Sequence, residues 1–166
     1  MKNLYPEAWA DAALEVISEA GLESLNVESL ARRLGVTKGS FYWHFSSRSS
    51  LLSVSLARWE RRESELLRVE LEVIPEPRAR LRRLLWRGAD RILERLAPSA
   101  DPAVVATLGR LRERRVAQLA AVYSELGLAE QPARRRAVLA YAAYAGLKHL
   151  APEDAERAVQ LLVPGP

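Results

Sequence analysis

The chain contains no cysteine, which excludes disulfides and thiolate metal sites. Its only histidines are His44 and His149, so an imidazole metal cluster has almost nothing to be built from. No Ser/His/Asp spacing, Gly-rich phosphate loop or paired carboxylate in an apolar setting stands out. We therefore expect no enzyme, no cofactor and no metal. No apolar run is long enough to span a bilayer, and the N-terminus lacks a signal-peptide pattern. The expectation is a cytoplasmic protein with no membrane partner. Lysine is almost missing: Lys2, Lys38 and Lys148 stand among 25 basic residues, the rest arginine. What remains is ordinary for a soluble protein of one or two small domains, with 49% hydrophobic and 28% charged residues over 166 positions.

One absence is local. Between Ser29 and Trp59 there is no acid, while Arg32, Arg33, Lys38, Arg48 and Arg58 supply five bases. The net charge of +4 is thus +5 in this stretch and −1 elsewhere. A cationic segment of this kind is an electrostatic footprint for nucleic acid.

The same stretch carries a helix-turn-helix pattern. Val27, Leu30, Ala31 and Leu34 form one apolar stripe, with Asn26 as N-cap and Gly35 as C-cap. Thr37 caps a second helix after a turn short enough to force a sharp crossing. On that second helix, with Phe41 set to zero, Phe45 falls at about 40°, and Gly39 and Trp43 at about 160° and about 200°. Phe41 and Phe45 then face the core, while Gly39, Ser40, Tyr42 and Trp43 lie on the solvated side. Glycine costs roughly 1 kcal/mol relative to alanine inside a helix, so Gly39 points to close approach by another surface. The Trp43 ring suits a thymine methyl or a sugar. Tyr42 and His44 can donate to phosphates.

This segment resembles the DNA-binding domain of the TetR family of bacterial transcriptional regulators. The matching residues are Val27, Leu30-Ala31, Gly35-Val36-Thr37-Lys38-Gly39-Ser40, Tyr42, His44-Phe45, Arg48 and Leu51. The preceding WADAALEVISEAGL, residues 9 to 22, is similar to the family's first helix. Asn26 replaces the usual Thr or Ser, Ile17 and Leu22 replace aromatics, and Arg48 replaces Lys. The resemblance implies an all-α fold, with an N-terminal three-helix helix-turn-helix domain over residues 1–50. A C-terminal helical regulatory and dimerisation domain follows over 51–166. On the DNA-binding face, Lys38, Gly39, Ser40 and Trp43 are expected at base edges. Asn26, Thr37, Tyr42, His44 and Arg48 are expected at phosphates.

Along the chain, residues 6–20 read as a first helix, Pro6 suiting its first position and Gly21 ending it. Its acids Glu7, Asp11, Glu15 and Glu19 point outward. A long helix is expected from Leu51 to about Val73, broken by Pro75 and Pro77. Helices over 78–96, 103–126, 133–150 and 152–162 follow. The arginines at 110, 112, 114 and 115 read as a solvated face. The 133–150 helix is apolar on nearly every side, so it must be covered on every side. Its small residues, Ala142, Ala145 and Gly146, admit a close neighbour. The resemblance implies that this helix and 152–162 pair with a second copy in a homodimer. His149 reads as a packed or capping residue. The resemblance also implies a pocket for a small hydrophobic effector, with Trp59, Trp86, Asp90, Tyr123, Tyr141 and Tyr144 as candidate walls. The regulatory part is shorter than is usual in the family, so it holds a small pocket or none.

The reading is a homodimeric repressor of double-stranded DNA, binding an inverted repeat and released by an effector. The alternatives are a DNA-binding dimer without an effector, or a helical interaction module whose helix-turn-helix no longer binds DNA.

Overall fold

Local signals set most helix ends. In the computed structural model, which describes residues 5–86, 91–147 and 150–165, the first helix α1 runs Pro6–Ala20. Pro6 opens it at a position where the missing N–H costs nothing, and Gly21 closes it at φ 87°, a conformation glycine adopts without strain. A single 3₁₀ turn at Leu22–Ser24 leads to α2, Val27–Leu34. The Asn26 side chain accepts from the backbone N–H groups of Glu28 and Ser29, and Gly35 ends α2 in the left-handed region at φ 68°. Thr37 then caps α3, Lys38–Tyr42. Ser47 and Ser50 exchange side-chain and backbone hydrogen bonds of 3.1 Å, a reciprocal cap that starts α4 at Arg48, three residues before the expected Leu51. Helix α4 extends to Glu72.

The expected single helix over 78–96 is two helices: α5, Pro77–Leu85, and α6, Arg91–Leu96. The leucine spacing is compatible with one continuous stripe, and the sequence cue for the interruption is only Gly88. Helices α7, Pro102–Glu125, α8, Glu130–Leu147, and α9, Pro152–Leu162, complete the chain. Helix α8 starts before Pro132 because proline is tolerated in a first turn. All described secondary structure is helical, and no described helix is long and apolar enough to cross a membrane.

The chain forms two compact units. The first is Met1–Ser64 with Asp90–Leu108; the second is Glu65–Ala89 with Gly109–Pro166. The expected boundary at 50/51 falls near the start of α4, whereas the compact units divide inside α4, between α5 and α6, and inside α7. In the first unit, α1 packs against α2 and α6. Trp9, Ile17, Leu30, Phe41, Leu51, Leu52 and Leu56 are fully buried there. In the second unit, Leu67, Leu81, Leu84, Leu85, Val116, Leu119 and Tyr123 share a core with Ala133, Ala137, Ala155 and Val159. Alanines on the inward side of α8 let α5 and α9 pack closely on it. The other side of α8 is not covered among the described residues: Val138 and Leu139 are 51% and 62% exposed, and Ala142 and Gly146 are also exposed.

Candidate nucleic-acid interface

The face read from the helical wheel is formed by α2, the turn after it and α3. Phe41 is fully buried, edge-on to Trp9 at 5.4 Å and stacked on Phe45 at 5.4 Å. That fixes the opposite side of α3 outward. Tyr42 is 58% exposed and Trp43 is 85% exposed. Lys38 and Gly39 are exposed, and Ser40 is half-buried. Leaving a tryptophan ring in water forgoes one of the largest burial gains a side chain can offer. Gly39 has ordinary helical backbone, and a Cβ built there would meet only the Thr37 hydroxyl oxygen, at 3.6 Å. Nothing within the described residues requires glycine at this position.

The supporting residues are more committed than their sequence suggests. Asn26 Oδ1 is used in capping, which leaves its amide N–H groups for a phosphate. Thr37 Oγ1 accepts from the Ser40 N–H at 3.4 Å and keeps its own hydroxyl proton to donate. His44 Nε2 is buried and without a hydrogen-bond partner among the described residues, so only Nδ1 could meet a phosphate. Arg48 is also committed within the chain. Its Nε donates to the Leu25 carbonyl and its Nη2 to the Leu22 carbonyl, both at 2.8 Å. The guanidinium ties the start of α4 to the entrance of α2, and two of its donor groups are taken.

The cationic footprint also shrinks in space. Arg33 pairs with Glu19 at 2.8 Å and with Glu15 at 3.1 Å. Arg58 pairs with Asp11 through two hydrogen bonds of 2.6 and 2.9 Å. Lys38 Nζ lies 2.7 Å from Glu28 Oε1. The hydrogen bond from Arg33 holds the Glu19 carboxyl below the usual range, and Lys38 does the same for Glu28. Three of the five bases are therefore matched by acids that lie outside the acid-free stretch. Arg32 is exposed and has no hydrogen bond or ion pair among the described residues. The sequence signal for this compensation was present: Glu7, Asp11, Glu15 and Glu19 repeat every four residues and form one acidic row on α1.

The effector candidates do not behave alike. Trp59 is 3% exposed in the first unit. In the second unit Tyr123 is fully buried, its hydroxyl donates to the Leu162 carbonyl at 2.8 Å, and Arg136 lies over its ring at 5.8 Å. These two fill cores. Tyr141 and Tyr144 are half-buried neighbours with ring centroids 6.4 Å apart. Burial raises the Tyr141 hydroxyl pKa against the opposing pull of Arg112 and Arg115. Trp86 is half-exposed at the end of α5. Asp90 and His149 lie outside the described residues. Among the described residues no cluster of three or more His, Asp or Glu side chains could hold a metal.

Residues 10–54 match the family model described as bacterial regulatory proteins, tetR family. The transcriptional regulator AcrR of Shigella flexneri is 40% identical over 62 residues, which are 37% of this chain and 27% of that protein. The class C tetracycline repressor protein of Escherichia coli is 42% identical over 52 residues, 31% of this chain and 24% of that protein. The matched segment thus spans about a quarter of the length of these curated relatives. A transcriptional regulator from Rhodococcus sp. Rha1 shares the fold over 96% of this chain and 94% of its own, with a TM-score of 0.72 and 24% identity. The N-terminal helix-turn-helix segment, residues 10–54, is therefore that of the tetR family of bacterial regulatory proteins.

Proposed function

We propose that the chain is a sequence-specific transcriptional repressor that binds double-stranded DNA as a homodimer in the cytoplasm. The observation that carries this reading is the outward face of α3, with Trp43 and Tyr42 exposed beside a glycine that nothing among the described residues requires. Gly39, Ser40 and Trp43 meet base edges. Lys38 joins them once it leaves Glu28. Tyr42, Asn26, Thr37 and His44 through Nδ1 hold phosphates, and Arg32 takes the phosphate place expected of Arg48.

The exposed apolar row Val138, Leu139, Ala142 and Gly146 on α8, with Leu161 80% exposed on α9, supports a dimer through these two helices. A two-fold axis that sets two recognition helices about 34–36 Å apart reads an inverted repeat. Selection from a random DNA pool at two salt concentrations tests the reading. An enriched inverted repeat, bound more weakly as salt rises, is the expected result; no enrichment by a folded dimer would overturn it.

The face makes two graded predictions. Tyr42→Phe removes a phosphate donor and is expected to weaken binding about equally on every sequence, whereas Trp43→Ala mainly changes which sequence is preferred. Competition binding across variant operators separates the two. Gly39→Ala is expected to raise the melting temperature slightly, because alanine is the better helix former by up to about 1 kcal/mol. It is expected at the same time to cost operator affinity tenfold or more. Unchanged affinity would show that nothing approaches Gly39.

Release by a small hydrophobic effector is the finer part of the proposal, with Tyr141, Tyr144 and Trp86 as its remaining aromatic candidates. The burial of Trp59 and Tyr123 favours a second reading, a DNA-binding dimer without an effector. A thermal-shift screen of hydrophobic compounds distinguishes them, since a ligand of the folded state raises the melting temperature.

A further inference from the structure

We propose that Glu28 attenuates DNA affinity by holding the charge of Lys38 within the protein; this rests on the reading that the α2–α3 face binds DNA. Glu28 is the only acid between Leu25 and Trp59, and its Oε1 sits 2.7 Å from Lys38 Nζ at the start of the recognition helix. Both side chains are more than half exposed, so the pair contributes little to folding. Its consequence lies in where charge is placed. A lysine set among base edges lies in the field of the flanking phosphates, so its charge still displaces condensed counterions, and that release supplies the sequence-independent part of binding. A lysine paired with a carboxylate brings no net charge. To reach DNA it must leave Glu28, and the carboxylate then faces a polyanion. Both effects oppose binding to any duplex. The pair also flattens the salt dependence that Lys38 would otherwise add to that of Arg32.

Glu28→Gln keeps the shape of the side chain and removes the charge. Binding of the purified dimer to an operator duplex and to a random duplex is measured from low to moderate salt, for the wild type, E28Q, K38M and the double variant. The expected result is that E28Q binds both duplexes several-fold more tightly at low salt. The slope of log affinity against log salt steepens by roughly 0.9 per chain, and the melting temperature does not change. In the K38M background, the gain from E28Q is expected to shrink. Three outcomes overturn the proposal. If E28Q weakens binding and melts lower, the pair is a staple between α2 and α3. If affinity and slope do not change, the pair has no role in binding. If the gain is undiminished without Lys38, Glu28 acts by repulsion or through its neighbour Arg32 and not by holding Lys38. Failure of the wild type to bind any duplex would instead remove the reading of the face itself, and this inference would fall with it.

Discussion

Replacing Phe41 with alanine is expected to cost about 3–5 kcal/mol of stability in the first unit and to abolish DNA binding. The ring is fully buried between the Trp9 edge and the Phe45 face. It sits on α3, a helix of five residues. A helix that short has no stability of its own, because the cost of nucleation is not recovered in so few hydrogen bonds. Its orientation is set by packing, and Phe41 is its one buried residue. Truncation leaves a cavity beside Trp9 and removes the contact that turns Tyr42 and Trp43 outward. Denaturant unfolding followed by near-ultraviolet circular dichroism reads the change, since Trp9 reports on this packing. Phe41→Leu keeps most of the volume and is expected to retain measurable operator binding. Loss of less than about 1 kcal/mol in Phe41→Ala would mean that α3 is held by something else.

The helix-turn-helix was legible in the sequence because its determinants are local. Asn26, Gly35 and Thr37 cap the residues beside them, and the order Phe41, Tyr42, Trp43 fixes in-and-out at 100° per residue. The bounds of α1 and α9 follow from Pro6, Gly21 and Pro152 for the same reason. The electrostatics were not legible in a linear count. Arg33 meets an acid 14 positions away and Arg58 meets one 47 positions away, so an acid-free stretch does not make an unopposed cationic surface. The aromatic residues show a similar limit. Trp59 and Tyr123 have the composition of pocket walls, and only tertiary packing makes them core. The division of 78–96 into α5 and α6 was hidden because the apolar positions at 81, 84, 85, 92 and 96 fit one uninterrupted stripe.

Arg48 poses the sharpest choice between a phosphate contact and a positioning role. Its place after the recognition helix suggests a phosphate contact, for which lysine serves nearly as well. The structure instead sets its planar fork against two carbonyls, Leu22 and Leu25, in residues that are themselves buried. The Leu22 carbonyl also accepts from the Leu25 N–H, whereas the Leu25 carbonyl depends on Arg48 among the described residues. Hydrogen bonds from a charged donor contribute roughly 1.5–3 kcal/mol each, and half-burial lets water replace part of that. Arg48→Met is therefore expected to destabilise the first unit by about 2–3 kcal/mol. Arg48→Lys is expected to recover less than half of the loss, because an ammonium on a flexible stem cannot present two fixed donors to two separated acceptors. A phosphate contact predicts the reverse pattern. Both variants would then melt like the wild type, lysine would restore affinity, and methionine would lower the salt slope by about 1 per chain. Melting curves and salt-dependent binding at a temperature where all three proteins are folded decide between the two. The positioning role stands if stability falls in both variants while the salt slope holds, because a residue that shapes the face without touching DNA changes affinity and leaves the number of neutralised phosphates as it was.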